Sequence, residues 1–393
     1  MAKDIVVNLY VFVSRVIFTL CSVFPVQHKT VMIASFGDNI QFVMDEVQKR
    51  TSSKIIVLRD HKCRYRFEGT GEDNCINFKT SNIPGTLRGI YHLATSEFVF
   101  VDNYQVVLAA CNFKDRTTCI QLWHANGAVK LFGFKDKNTI RRTAASHRRF
   151  KKVYSRFHKI VVSSDHMGAI FEKAFDAGEE NLLKTGIPRT DFFYSQGRMD
   201  RAAEKMQAQM PQLRGRKVML YAPTFRDKGS VELEDIKRDV QKLEQAFSDE
   251  YHLLLRVHPS VRFEGYENNS FATNVSYGQD IFELLAITDL LITDYSSIPF
   301  EFAILGRPMV FFAYDLKAYE ASPGIWFDYE TFVPGPVVYT AEEMIDTIRK
   351  EDFKEEKILL FDETWNKYAD GWATEKLVKY LYEGKQQEAG RSL

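Results

Sequence analysis

From residue 30 onward the chain alternates short β-branched or aromatic runs with longer stretches whose apolar positions recur at helical spacing. The strand-like runs of the first half are TVMIAS (30–35), KIIVLR (54–59), EFVFVDN (97–103), CIQLWH (119–124) and KIVVSS (159–164). Helical patterns lie between them at 40–50, 84–95, 142–157 and 165–176. The second half repeats the grammar with KVMLYAP (217–223), YHLLLRVHP (251–259), DLLITD (289–294) and RPMVFFAYD (307–315). Near-continuous apolar strands separated by helices predict an α/β protein with doubly wound parallel sheets, covered by helices on both faces. The polar, strand-free stretch 196–217 reads as the region between two such halves. A length of 393 residues also suits two domains better than one.

The N-terminus has a different pattern. Residues 5–24 carry 15 apolar side chains in 20, enough to span a bilayer by length. A central Arg15 would cost roughly 2.5–3.5 kcal/mol in a spanning helix. Asp4, Asn8, Arg15 and Ser22 are spaced 4, 7 and 7, so a helix gathers them into one stripe. That pattern predicts an amphipathic helix lying in a membrane interface, ended by Pro25, with a buried first helix of the domain as the competing reading. The flanks do not suit a secretory signal, because Lys3 and Asp4 cancel and no Ala-x-Ala site follows.

Charge adds a second asymmetry. The whole chain is neutral, with 52 Lys+Arg against 52 Asp+Glu, yet residues 130–159 hold eleven Lys and Arg opposed by Asp136 alone. Such a run attracts anions, and an anionic membrane surface contributes about 1 kcal/mol per nearby cation. A solvated helix face is the bland alternative. Nucleic acid fits less well, since Phe150, Tyr154 and Phe157 interleave thinly and no binding motif occurs. At 45% apolar and 26% charged residues with 11 prolines, the composition excludes collagen-like and disordered chains. A mean hydropathy of −0.26 excludes a polytopic membrane protein. The five cysteines form no Cys-x-x-Cys pair and read as core thiols of a reducing compartment.

In open α/β sheets, ligands sit beyond the carboxyl ends of the strands, so the residues closing each strand are the candidates for chemistry. Run 289–294 closes with Asp294, then Tyr295, Ser296 and Ser297 open a helical pattern whose free N–H groups favour an anion. Glu301 follows within the first turns, in reach of a ribose hydroxyl; an ordinary Ser cap with a surface Glu is the alternative. Run 251–259 carries Arg256 and His258 on one face, and run 217–223 leads through Pro223 and Thr224 to Arg226. A diphosphate between these tips would meet two guanidinium groups, an imidazole and a helix N-terminus. In the first half, His124 follows Trp123 at a strand tip, with Gly127 for a tight turn and Lys130 beyond, and is a candidate general base. A structural His at a strand end is the competing reading. Phosphate loops, dinucleotide fingerprints, nucleophile elbows, zinc-protease motifs and an Asp-x-Asp pair are all missing, which points to a metal-independent site without a cofactor.

The blocks QLWHANGAVKLFGF (121–134), GIPRTD (186–191), YAPTFRD (221–227), RVHPS (256–260) and ITDYSSIPFEFAILGRPMVFFAYD (292–315) occur in this order. Together they resemble the CDP-glycerol glycerophosphotransferase family of teichoic acid biosynthesis, and the short chain most resembles its glycerol-phosphate primase branch. The resemblance implies a glycosyltransferase-B-type fold, two Rossmann-like domains facing across a cleft. The implied division is an amphipathic membrane segment at 1–27, an acceptor-binding domain at 28–196, a CDP-glycerol-binding domain at 197–365 and a C-terminal helix at 366–393 returning to the first domain.

The same resemblance implies CDP-glycerol as donor and undecaprenyl-diphosphate-linked ManNAc-GlcNAc as acceptor, at the cytoplasmic face of a Gram-positive cell membrane. Other teichoic acid enzymes or a second copy of the chain are the implied protein partners. His124 matches the family's general base and His258 its second essential histidine. Arg189, Thr224, Arg226, Arg256, Ser296, Ser297 and Glu301 match positions that bind CDP-glycerol, and Trp123, Gly127, Lys130, Pro223 and Asp294 lie in the same blocks. Alternative readings are a transferase adding the second glycerol phosphate or a later polyol phosphate, a nucleotide-sugar transferase of the same fold, and a membrane scaffold without catalysis. Intact His124, Arg226, His258 and Asp294–Ser297 disfavour the last.

Overall fold

The protein is described here from a computed structural model, which covers residues 2–224, 233–257 and 268–391. Two compact units share the chain: Met1–Asn126, Phe132–Asp191 and Lys367–Leu393 form the first, Gly127–Leu131 and Phe192–Asn366 the second.

The first unit holds β1 (Gln27–Ala34), β2 (Lys54–Arg59), β3 (Cys75–Asn77), β4 (Ser96–Val101), β5 (Thr118–Gln121), β6 (Lys159–Val161) and β7 (Leu182–Leu183). They lie in the order β3-β2-β1-β4-β5-β6-β7, every pair parallel. Its helices are α1 (Ala2–Cys21), α2 (Asp38–Arg50), α3 (Ile83–Ala94), α4 (Lys137–Ile140), α5 (Ala144–Tyr154) and α6 (Asp165–Phe175). The second unit holds β8 (Lys217–Ala222), β9 (Tyr251–Leu255), β10 (Ala272–Asn274), β11 (Leu290–Thr293), β12 (Met309–Phe312) and β13 (Val337–Val338), in the parallel order β10-β9-β8-β11-β12-β13. Its helices are α7 (Gln196–Gln209), α8 (Leu233–Phe247), α9 (Ile281–Ile287), α10 (Ile298–Phe302), α11 (Leu316–Ala321), α12 (Tyr329–Phe332), α13 (Ala341–Lys350) and α14 (Glu355–Trp365). The chain then returns to the first unit as α15 (Ala373–Arg391).

Both sheets therefore have the doubly wound order, reversing direction between β1 and β4 in one unit and between β8 and β11 in the other. The central strands are apolar on both faces because helices cover both. Met32, Val57, Phe98 and Phe100 pack with Val43 and Val47 of α2 and with Leu377, Leu381 and Tyr382 of α15. Met219, Leu253, Leu290 and Val310 form the matching core of the second unit with Val240 and Leu243 of α8 and Met344 of α13. Each such side chain stabilises by roughly 1.5–3 kcal/mol on burial. Tyr382 also bonds the Thr30 hydroxyl at 2.5 Å, and Arg50 pairs with Glu375 at 2.6 Å, which fastens α15 to β1 and α2.

Several strand-like runs outlast their ladders: β4, β5, β6, β9 and β12 stop at Val101, Gln121, Val161, Leu255 and Phe312, and the residues beyond form the strand tips. Stretch 196–217 is not a spacer. Residues 196–209 form α7, which buries Met199, Ala202 and Met206 against the second unit, and Lys217 begins β8. All five cysteines are free thiols.

Helix α1 packs on α3 and buries Val11, Ser14 and Phe18. Its polar stripe is hydrogen-bonded to the protein, although Asn8 and Arg15 stay exposed. Asp4 pairs with Arg149 of α5 at 2.7 Å and accepts from the Thr143 hydroxyl at 2.9 Å. Arg149 also donates to Asn8 at 2.8 Å, and Arg15 donates to the Ala109 carbonyl at 2.8 Å. The apolar side is outermost: Ile5, Val6, Leu9, Phe12, Val13, Val16 and Leu20 are all exposed. Asp4, Asn8 and Arg15 are thus tied to α5 and the 106–111 turn, and the apolar face of α1 is bare.

Candidate functional site

The tips of the first sheet are organised around Asp102, which closes β4 and is buried. Its carboxylate accepts the backbone N–H of Ser35 at 2.8 Å, Phe36 at 2.9 Å and Gly37 at 2.8 Å. These three groups form the turn from β1 into α2, the position where a Rossmann-type fold presents N–H groups to a phosphate. Here a carboxylate of the chain itself takes them. Burial pushes the Asp102 carboxyl up to about 6 despite those three donors. Gly37 is required in this turn, because its φ of +106° is left-handed and a Cβ would stand 2.4 Å from Tyr65.

His124 sits beside this turn, three residues past β5. A carbonyl oxygen can only accept, so the 3.1 Å contact between His124 Nδ1 and the Asp102 carbonyl makes Nδ1 the protonated nitrogen. Nε2 is left with its lone pair. The imidazole stacks on Phe36 at 4.2 Å. Burial holds its pKa down at about 4, with Arg189 and Lys62 pressing the same way, so the ring is neutral at physiological pH.

Asn39 of α2, also buried, ties the surroundings together. Its amide donates to the Trp123 carbonyl at 3.0 Å, and its oxygen accepts the Arg189 N–H at 3.0 Å. Arg189 is itself buried, with its guanidinium 3.7 Å from Asp38. Trp123 adopts φ +59°, and its indole packs with Phe132 at 4.7 Å, Phe175 at 5.5 Å and Phe171 at 5.7 Å. Trp123 thus anchors the tip from which His124 projects.

In the second unit the same device recurs. Asp294 closes β11 beside β8, and its carboxylate accepts the Thr224 N–H at 2.9 and 3.1 Å as well as the Thr224 hydroxyl. Tyr329 donates to the Asp294 carbonyl at 2.9 Å. Pro223 is buried between β8 and Thr224. Ser297 caps α10 with its backbone alone, and the Ser296 hydroxyl accepts the Ile298 N–H at 3.2 Å. Glu301 is buried on α10 rather than lying on the surface. Arg256, one residue past β9, donates to the Gln279 carbonyl at 3.0 Å.

Segment Gly127–Leu131 belongs to this second unit. It is pinned by Leu131 N–H to Gly324 at 3.0 Å and by Trp326 N–H to Val129 at 3.0 Å. Gly127 makes no left-handed turn; its role is close approach, since a Cβ there would stand 2.1 Å from the Phe300 ring. Lys130 lies over the Tyr319 ring at 5.6 Å, and Tyr319 stacks on Tyr295 at 3.7 Å. Lys130 and the Asp294–Ser297 block, separated widely in sequence, are joined through that aromatic pair.

The expected residues thus fall into two groups. Trp123, His124 and Arg189 gather in the first unit, and Gly127, Lys130, Pro223, Thr224, Arg256, Asp294, Ser296, Ser297 and Glu301 in the second. Arg226 and His258 lie outside the described residues. Phe36, Asn39, Asp102 and Tyr319 escaped the sequence reading. Only Asp102 left a signal there, as a carboxylate ending an apolar strand-like run.

Residues 16–383 match the family model for CDP-glycerol:poly(glycerophosphate) glycerophosphotransferase. The teichoic acid glycerol-phosphate primase of Bacillus subtilis (strain 168) is 32% identical over 386 residues, covering 96% of this chain and 98% of that protein. The teichoic acid ribitol-phosphate primase of Bacillus spizizenii is 30% identical, covering 92% and 93%. Among solved structures, the wall teichoic acid polymerase TagF superposes with a TM-score of 0.78 at 24% identity over 99% of each chain, which shows the shared glycosyltransferase-B-like α/β fold. With residues 16–383 matched by the family model and the two primases aligned over more than nine-tenths of their own length, the chain belongs to the CDP-glycerol:poly(glycerophosphate) glycerophosphotransferase family, transferases of teichoic acid biosynthesis.

Proposed function

We propose that the protein is a teichoic acid glycerol-phosphate primase, transferring glycerol phosphate from CDP-glycerol to the ManNAc hydroxyl of lipid-linked ManNAc-GlcNAc and releasing CMP. The observation that carries this reading is His124, a neutral imidazole whose Nδ1–H is committed to the Asp102 carbonyl while Nε2 keeps its lone pair. Coverage of 98% of the Bacillus subtilis primase supports the priming role.

In this reading the acceptor hydroxyl gives its proton to His124 Nε2 as its oxygen attacks the phosphorus that bears glycerol. The bond from that phosphorus to the CMP oxygen breaks, and the electron pair leaves with CMP. Phosphoryl transfer of this kind asks the protein mainly to position groups and stabilise charge. The donor is assigned to the second unit, where Thr224, Arg226, Arg256, His258, Ser296, Ser297 and Glu301 would hold the CDP part and Lys130 would add a cation. The first unit is assigned the acceptor, because its β1–α2 turn is filled by Asp102 and offers no phosphate cradle. Removing one donor to the developing charge should cost about 10²–10³ in kcat.

The outward apolar face of α1 and the basic run support attachment to the cytoplasmic face of the membrane as a monotopic protein. The ribitol-phosphate primase match favours a second reading, in which the transferred polyol is ribitol. CMP release separates these readings. Release from CDP-glycerol on an unprimed ManNAc-GlcNAc lipid analogue supports the primase. Release only from CDP-ribitol, or only on an acceptor already carrying glycerol phosphate, moves the protein to the second reading or to the next step.

A further inference from the structure

The ion pair that fixes α1 to α5 also frames an open cavity of about 530 Å³ in the first unit, lined by Asp4 and Val7 of α1 and by Tyr104, Arg141, Arg142 and Arg149 among others. Its volume is that of a small-ligand site. Arg149 is engaged by Asp4 and Asn8, which also neutralises the cavity's one carboxylate. Arg141 and Arg142 are exposed, and among the described residues no carboxylate pairs with either. The Arg142 guanidinium lies 5.4 Å over the Phe150 ring, whose own neighbour is Tyr104 at 4.9 Å. Burial pushes the Tyr104 phenol up to about 12, so the floor beneath the two guanidinium groups is neutral. On the same turns of α1, Ile5, Val6 and Leu9 face solvent, and Ile140, immediately before Arg141, is exposed as well. Two cations at the mouth of an aromatic cavity, flanked by bare apolar helix, complement an amphiphile with a phosphate head.

We infer that this cavity binds the phosphate monoester or diphosphate head of a membrane lipid, whose chain lies along the apolar face of α1. Guanidinium groups accept such heads bidentately, and two of them discriminate a doubly charged head from a singly charged phosphodiester. The chemistry is shared by a bulk phospholipid, by an isoprenoid-linked acceptor and by a free phosphate ion. The inference rests on the membrane attachment proposed above, but not on turnover.

The test is vesicle flotation of the full chain. The vesicles are phosphatidylcholine carrying phosphatidic acid, a polyprenyl diphosphate or, at matched surface charge, phosphatidylglycerol. The expected result is a preference of roughly tenfold for the two doubly charged heads over phosphatidylglycerol. Preference for the polyprenyl diphosphate over phosphatidic acid identifies the acceptor-type lipid as the source, and equal preference identifies the bulk lipid. The double substitution Arg141→Gln with Arg142→Gln should abolish the preference and keep residual binding to every vesicle. Leu9→Ser with Phe12→Ser should weaken binding to all vesicles alike. An undiminished preference in the arginine variant would overturn the site, as would equal binding of the wild type to all three anionic vesicles. Saturation by inorganic pyrophosphate in solution, without any preference among vesicles, would overturn the lipid as its source. Because binding is read directly, a chain that fails to turn over CDP-glycerol can still pass, and an active chain can still fail.

Discussion

The ring of His124 is held on two sides, by the Asp102 carbonyl 3.1 Å from Nδ1 and by the Phe36 ring stacked at 4.2 Å. Both partners run through Asp102, whose backbone carbonyl meets Nδ1 and whose carboxylate accepts the Phe36 N–H, so one residue sets the tautomer and holds the stacking surface. Asp102 is a positioning residue: it acts on the base and not on substrate.

A pH prediction follows from the His124 pKa of about 4, below the ordinary value of 6.5. The ring accepts a proton only when neutral, so kcat/KM should stay flat from pH 8 down to about 5 as far as this group is concerned, and fall below that. The stability contribution has the same sign. A folded pKa below the unfolded one favours the folded state fully above pH 6.5, and that advantage is lost as pH falls towards 4. A pH–rate profile with its acid limb near 7 would refute the buried, neutral base.

Asn39 joins the Trp123 carbonyl to the Arg189 N–H. Asn39→Ala should destabilise by about 1–3 kcal/mol, the cost of two buried groups left unsatisfied. Asn39→Asp keeps the acceptor for Arg189 and loses the donor to Trp123, so it should fold better than the Ala variant yet still lose kcat. Denaturant melts and CMP release on the two variants check this; wild-type kcat in Asn39→Asp would rule out a role for that bond in placing His124.

At Gly127 the clash is with the Phe300 ring. Gly127→Ala should destabilise by about 1–3 kcal/mol through overpacking, and Phe300→Leu in the same chain should recover part of that loss. Additive effects in the double-mutant cycle would contradict the close approach.

Thr224 is held to Asp294 by its N–H and its hydroxyl. Thr224→Val removes one bond and Asp294→Ala both, so the Asp294 variant should be the less stable by about 1 kcal/mol or more. Both should raise the KM for CDP-glycerol. An unchanged KM in Asp294→Ala would remove this tip from donor binding.

Much of the fold could be read from local pattern, because buried parallel strands such as 54–59 and 290–293 are nearly continuous apolar runs. The two-residue edge strands β7 and β13 are too short to show one. Residues 196–209 look polar throughout, since Met199, Ala202 and Met206 supply a stripe of only three buried positions on a long helix. At the site, His124, Thr224 and Asp294 were visible because each closes a strand. Phe36, Asn39 and Tyr319 were not, because their partners lie 88, 84 and 24 positions away, at His124, Trp123 and Tyr295, and only tertiary folding brings them together. The stripe on α1 was visible, but not its partner Arg149, which lies far along the chain.

The most direct measurement is CMP release from CDP-glycerol, with and without a lipid-linked ManNAc-GlcNAc analogue, for wild type and His124→Ala. The predicted result is acceptor-dependent release by the wild type and a fall of about 10²–10⁴ in kcat for a variant that melts like the wild type. Wild-type rates in His124→Ala, or an inactive variant that is also unfolded, would contradict His124 as the base.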